Sequence, residues 1–326
     1  IDALALRGGR LYAGGVKGLS LSRDGGQTWE PLAEVGEKPV TALAVAGETL
    51  LVATAEEVLE LAGGSRRSGP LPSEGRVFKL LPRGDLLLAA GDGGFFSRPL
   101  AGSEGWRRLW PAEGQPPATV NFILPRGDGF LLGTNDGLVE GQGLDGPWTA
   151  GGLANNRVMS VAVAGGWMYA AIGEPYGGIV RTREGADEWK TANLRTNGAV
   201  SLLPHPREKG VVYAGLSGLA EQVIIAGVVV TRDGGESWEP IRTRLLNVQI
   251  PAMVFDESKD TIYAGTNGGG VFHYREPTLA HTLTQASKAY LDLLEPLVLG
   301  AAALFLLLSR HPAARGPKHG TGHPTV

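Results

Sequence analysis

A short apolar run ending in small residues recurs along the chain: Leu11-Tyr12-Ala13-Gly14, Leu51-Val52-Ala53-Thr54, Leu88-Ala89-Ala90-Gly91, Leu131-Leu132-Gly133-Thr134, Tyr169-Ala170-Ala171, Val212-Tyr213-Ala214-Gly215 and Ile262-Tyr263-Ala264-Gly265. An alternating segment precedes the run, as in Thr41-Ala42-Leu43-Ala44-Val45 or Val158-Met159-Ser160-Val161-Ala162-Val163, and a Gly or Asp turn joins the two. Alternation marks a half-buried strand, and a continuous apolar run marks a strand covered on both faces. A second turn leads to a third strand such as Gly227-Val228-Val229-Val230 or Gly270-Val271-Phe272-His273-Tyr274, and a fourth strand is expected to carry a Trp. The pattern leaves no place for a long helix before about residue 284. The copies are spaced by about 37–50 residues, which suits a four-stranded blade and is too long for leucine-rich or tetratricopeptide units. The sequence therefore predicts an all-β, seven-bladed β-propeller over residues 1–276, and the 50 glycines suit its many tight turns.

A second repeat lies inside the first. Ser22-Arg23-Asp24-Gly25-Gly26-Gln27-Thr28-Trp29 returns as Thr231-Arg232-Asp233-Gly234-Gly235-Glu236-Ser237-Trp238, with a worn copy at Thr182-Arg183-Glu184-Gly185-Ala186-Asp187-Glu188-Trp189. The octapeptide resembles the Asp-box of the bacterial neuraminidase repeat, shared by sialidase-like and sortilin-type propellers, xyloglucanases and the photosystem II assembly factor family. The resemblance implies that the box occupies the turn between third and fourth strands, on the face opposite the ligand site. Its Asp would accept backbone N–H bonds, its Gly pair would take unusual dihedrals, and its Trp would pack between blades. On that basis Ser22, Asp24, Gly26, Trp29, Thr182, Trp189, Thr231, Asp233, Gly235 and Trp238 are structural residues, as is Asp187.

Thirty Lys plus Arg against 33 Asp plus Glu give a net charge of −3, without the focused positive field that a nucleic-acid partner needs. There is no cysteine, hence neither a disulfide framework nor a thiolate metal site. Five of the six histidines follow residue 272 without zinc-site spacing, and no glycine-rich turn has a phosphate-loop context, so no metal or cofactor is expected.

The composition changes near Thr284. Residues 290–309 are apolar enough, at roughly 30 Å as a helix, to match a bilayer core, although the uninterrupted apolar part runs only over residues 297–308. Asp292 and Glu295 lie toward one end, and Arg310, Arg315 and Lys318 follow the other. By the positive-inside rule this predicts a juxtamembrane linker at 277–289, a single transmembrane helix at 290–309 and a short cytoplasmic tail at 310–326, with the propeller outside. The alternative is an amphipathic helix docked on the propeller, but residues 301–308 are apolar on every face. Ile1 is not an initiator residue, so a cleaved secretory signal or a longer parent chain is expected upstream. Ring closure has two readings: residues 278–284 supply a degenerate outer strand, or an upstream segment completes the last blade.

Function is expected in the second-to-third-strand turns and the blade-to-blade connections. The turns hold Asp92, Asn135, Asp136, Glu174, Tyr176, Asn267 and an insertion at 217–226 that contains Glu221; the connections hold Asn155, Asn156, Arg157, Arg195, Asn247 and Gln249. Such a ring suits a glycan or peptide, while Asn and Asp are also ordinary turn formers. Val223, Ile224 and Ile225 in the insertion present a partner-binding edge on one reading and lengthen the third strand on the other. The sialidase resemblance implies three arginines, a tyrosine with a glutamate and an aspartate; Arg157 and Arg195 offer two clamp positions, Tyr176 and Glu174 the nucleophile pair, and Arg10 or Arg244 a nominal third arginine. Xyloglucanase-like chemistry needs two carboxylates about 5–9 Å apart, drawn from Asp92, Asp136 and Glu174. The sequence favours a membrane-tethered extracytoplasmic propeller that binds a protein or an envelope glycan, as an assembly or scaffolding factor. The competing reading is a glycoside hydrolase of sialidase-like or xyloglucanase-like type.

Overall fold

The computed structural model describes residues 1–101, 105–173, 177–194, 198–217, 227–241 and 249–275. They form seven antiparallel sheets, each a simple meander in chain order, arranged as the seven blades of a propeller. The inner strands are Ala3–Arg7, Val40–Ala46, Val77–Arg83, Val120–Arg126, Val158–Ala164, Ala199–Pro204 and Ala252–Asp256. Each apolar run forms the second strand of its blade, and Leu51, Val52, Ala53, Leu88, Ala89 and Ala90 have no exposed surface at all. This is why the runs show no alternation: second strands are sandwiched between neighbouring blades, so both faces are apolar.

Among the described residues the seventh blade has three strands, ending at Gly270–Arg275. The first blade packs against it directly. The Ile1 nitrogen donates to the Thr266 carbonyl at 2.7 Å, and the Ile1 side chain covers Gly265. Residues 278–284 lie outside the described residues, as do the linker, the apolar segment 290–309 and the tail. Among the described residues no helix is long and apolar enough to cross a membrane.

Both full boxes sit between third and fourth strands: Gly18–Ser22 with Glu30–Pro31, and Val228–Thr231 with Glu239–Pro240. The Asp24 carboxylate accepts from the backbone N–H groups of Gln27 (3.0 Å) and Thr28 (2.9 Å) and from the Thr28 hydroxyl (2.6 Å). Ser22 closes the turn, donating to Asp24 at 2.8 Å while accepting from the Gly26 N–H at 2.7 Å. Asp233 repeats the arrangement with Ser237, Thr231 and Gly235. In the worn copy Glu184 replaces the aspartate, and the Thr182 hydroxyl donates instead to the Ala186 carbonyl at 3.1 Å.

The boxes also join blades. Gly235 lies against Tyr169 and Arg181 of the preceding blade, and Arg181 bonds the Gly234 carbonyl and the Glu236 carboxylate. Trp238 donates to the Ala192 carbonyl at 2.8 Å and meets Tyr169 edge-on at 6.3 Å. One expectation is corrected. Trp29, Trp189 and Trp238 precede their two-residue outer strands rather than standing within them, whereas Trp110 and Trp148 lie inside theirs. In the boxes the turn continues up to the Trp, whose indole bonds its own turn at Trp29, to the Gly26 carbonyl at 3.1 Å, and the preceding blade at Trp238.

Asp233 makes a testable contribution. The bonds from Ser237 are the largest cause holding its pKa down at about 2, against an ordinary value of 3.8. A depressed carboxylate stabilises the fold fully above its unfolded pKa, and that contribution is lost as the pH falls through the folded value. We expect Asp233→Ala to cost about 1 kcal/mol at pH 7, its exposure to solvent discounting the larger figure that the shift alone would give. Urea unfolding should show this gap closing between pH 4 and pH 2. A gap that stays constant with pH would show that the ionised carboxylate is not what closes the turn.

Candidate binding face and axial channel

Antiparallel order sends the first-to-second and third-to-fourth turns to one face of the ring. Second-to-third turns and blade connections occupy the other face, opposite the boxes. On this loop face Asp92 accepts from the Arg76 N–H at 3.0 Å and from the Thr119 hydroxyl at 3.3 Å, while its carbonyl accepts from Ser73. Asp92 therefore ties the connection entering its own blade to the one leaving it. Asp136 accepts from the Asn155 N–H at 2.8 Å, and Asn135 accepts from the Asn121 amide at 3.0 Å. These acids and amides hold backbone that would otherwise be unpaired.

Arg157 and Asn267 are exposed on the same face, and the Asn267 N–H donates to the Gln249 carbonyl at 3.0 Å. Glu174, Tyr176, Arg195, Glu221, Arg244 and Asn247, together with Val223, Ile224 and Ile225 of the insertion, lie outside the described residues. Arg10 opens the second strand of the first blade, immediately after the first-to-second turn, and so belongs to the box face. It cannot join Arg157 in a carboxylate clamp.

The feature that the sequence reading missed lies on the axis. Opposite the third residue of each apolar run the inner strands carry Leu4, Ala42, Lys79, Phe122, Ser160, Leu202 and Met253. All seven line one cavity of about 140 Å³, together with Asp2, Phe78, Asn121, Met159 and Ser201 from the adjoining positions. These residues come from the starts of the inner strands, so the cavity lies toward the loop face. Lys79 is the one charged member of the ring of seven. Protein surrounds it closely, yet the side chain keeps contact with the channel, and burial pushes its pKa below the ordinary lysine range. Its ammonium stands 5.3 Å from the centre of the Phe122 ring. A charge interrupting Val77-Phe78-Lys79-Leu80 was the available signal, but only ring closure brings it onto a common axis with six other blades.

Around Lys79 most polar groups are already engaged. Asn121 donates to Asn135 and to the Val158 carbonyl, both at 3.0 Å, and Ser201 donates to the Ile250 carbonyl at 2.6 Å. Ser160 accepts from the Leu202 N–H at 3.2 Å, which leaves its own hydroxyl hydrogen available. Asp2 at the mouth stands 3.9 Å from the Arg76 guanidinium.

No protein-family model and no curated protein matches the chain. Solved structures do. The extracellular domain of BT4673 from B. thetaiotaomicron is 18% identical, superposes with a TM-score of 0.66 over 85% of this chain, and is spanned for only 38% of its own length. YCF48 bound to a D1 peptide is 15% identical with a TM-score of 0.63, covering 83% of this chain and 89% of that one. The GH74 xyloglucanase of Xanthomonas campestris is 15% identical with a TM-score of 0.67, covering 85% of this chain and 52% of that one. At such identities the likeness establishes the propeller fold alone.

Proposed function

We propose that the chain is a binding propeller whose loop face engages a protein or an envelope glycan, held outside a membrane by residues 290–309. The observation that carries the binding reading is the employment of Asp92 and Asp136. The Asp92 carboxylate accepts from the Arg76 N–H and the Asp136 carboxylate from the Asn155 N–H, so both side chains are spent on holding the loop backbone in place. The same bonds stiffen the loop face, and a stiff face binds with a small ordering cost. YCF48 solved with a D1 peptide shows that a propeller of this shape can accompany a peptide ligand. The extracellular domain of BT4673 shows the fold outside a cell.

The reading is tested by mild-detergent isolation of the full chain from its native membranes, alongside an assay of sugar release from xyloglucan and from a sialylated substrate. A stoichiometric protein or glycan retained by the chain, with sugar release no greater than that of a blank, is the expected result. Hydrolysis abolished by Asp92→Asn or Asp136→Asn in a variant that melts normally would overturn it in favour of the hydrolase.

A further inference from the structure

We propose that the loop-face end of the axial channel is a carboxylate site, in which the Lys79 ammonium and the Ser160 hydroxyl receive one carboxylate and the surrounding ring receives its short apolar substituent. This deepens the proposed function and rests on the loop face being the binding face.

The argument begins with a cost. An ammonium crowded by protein and open only to a narrow channel loses part of its hydration, and such a group is usually paired with a carboxylate or ringed by carbonyls. Among the described residues no carboxylate lies within ion-pair distance of Lys79; the Phe122 ring face is the partner that it has. Asp2, the acid in the cavity wall, is drawn toward Arg76. Neither Asn121 nor Ser201 accepts a hydrogen bond from Lys79, and both spend their own hydrogens on protein acceptors, so neither has a hydrogen left for an incoming anion. What remains in the lining is a positive charge and one hydroxyl hydrogen, the two kinds of donor from which a carboxylate accepts.

The cavity sets the size and character of the rest of the ligand. Its volume of about 140 Å³ exceeds the ~10–15 Å³ that a single water needs, and it is far below a drug-sized pocket of ~300 Å³ or more. Leu4, Ala42, Phe122, Leu202 and Met253 stand at the level of Lys79 and offer apolar surface to a short aliphatic group. A chloride would leave that surface unused. A carboxylate with two to four carbons, either a free short-chain acid or the C-terminal residue of a peptide, uses both the charge and the wall.

The test is calorimetric titration of the full chain in mild detergent with butyrate, butyramide, chloride, and a pentapeptide ending in valine as its free acid or its amide. Butyrate should bind and the neutral butyramide should not. Lys79→Met should weaken butyrate by about tenfold or more, as expected for a lost charge-assisted bond, and Ser160→Ala by a few-fold. Lys79→Met removes a partly desolvated charge and keeps an unbranched side chain of similar length, so its thermal melt should be at least as high as that of the parent. Competition by the free-acid peptide but not by its amide supports a protein terminus as the source. Binding of butyrate without the peptide supports a free acid. Equal affinity for chloride and butyrate, butyrate binding untouched by Lys79→Met, or no butyrate binding at all would each overturn the site. Partner capture from native membranes by both parent and Lys79→Met would then leave the broader binding reading standing.

Discussion

Phe95→Ala should remove about 3–5 kcal/mol of stability, the range for truncating a fully enclosed aromatic ring. Phe95 has no exposed surface and lies in the third strand of the third blade, Gly94–Pro99. Its ring meets Phe130 edge-on at 5.2 Å and Trp148 at 5.8 Å, both from the fourth blade. The apolar part of the contact between the third and fourth blades consists of these rings and the aliphatic cluster of Leu88, Val120, Ile123 and Leu132, with Arg83 bonded to the Gly127 and Gly129 carbonyls at its edge. A methyl group in place of Phe95 would leave a hole walled by hydrogen-bonded strands of two blades, which resist collapsing inward. Equilibrium urea unfolding measures the loss, and Phe95→Leu, which keeps most of the volume, should recover the larger part of it. A loss below about 1 kcal/mol for the alanine variant would mean that the interface relaxes and that the blades are less tightly wedged than the packing implies.

The contrast between what the sequence disclosed and what it concealed has a physical basis. Blade number and the identity of the second strands were legible because burial on two faces writes an unbroken apolar run, of which Leu51-Val52-Ala53 is the clearest. The boxes were legible because their chemistry is local: Asp24 closes a turn with residues three and four positions ahead, and Asp233 with its own neighbours. The placement of Trp29 and Trp238 before the outer strands was not legible. A two-residue strand has no pattern of its own, and a tryptophan suits either the turn or the ladder. Lys79 was hidden for a different reason. Its neighbours on the axis, Leu4, Phe122, Ser160 and Met253, belong to other blades and are assembled only by ring closure.

The proposed tether makes the largest prediction. Leu299→Arg combined with Ala302→Arg places two guanidinium groups near the middle of residues 290–309, at about 5–7 kcal/mol on the insertion scale. Arg310, beyond the end of the segment, is free to reach the headgroups, but a residue at the midpoint of a span this short has no such escape. The double variant should therefore leave the membrane fraction, while the parent resists carbonate extraction. Protease added to sealed, right-side-out cells should release a body of about 280 residues from the parent and spare a tag fused after Val326. A tag that is cleaved together with the propeller would mean that residues 310–326 lie outside and that nothing spans. A double variant that stays membrane-bound would place attachment in the propeller, with the apolar insertion at 217–226 as the next segment to alter.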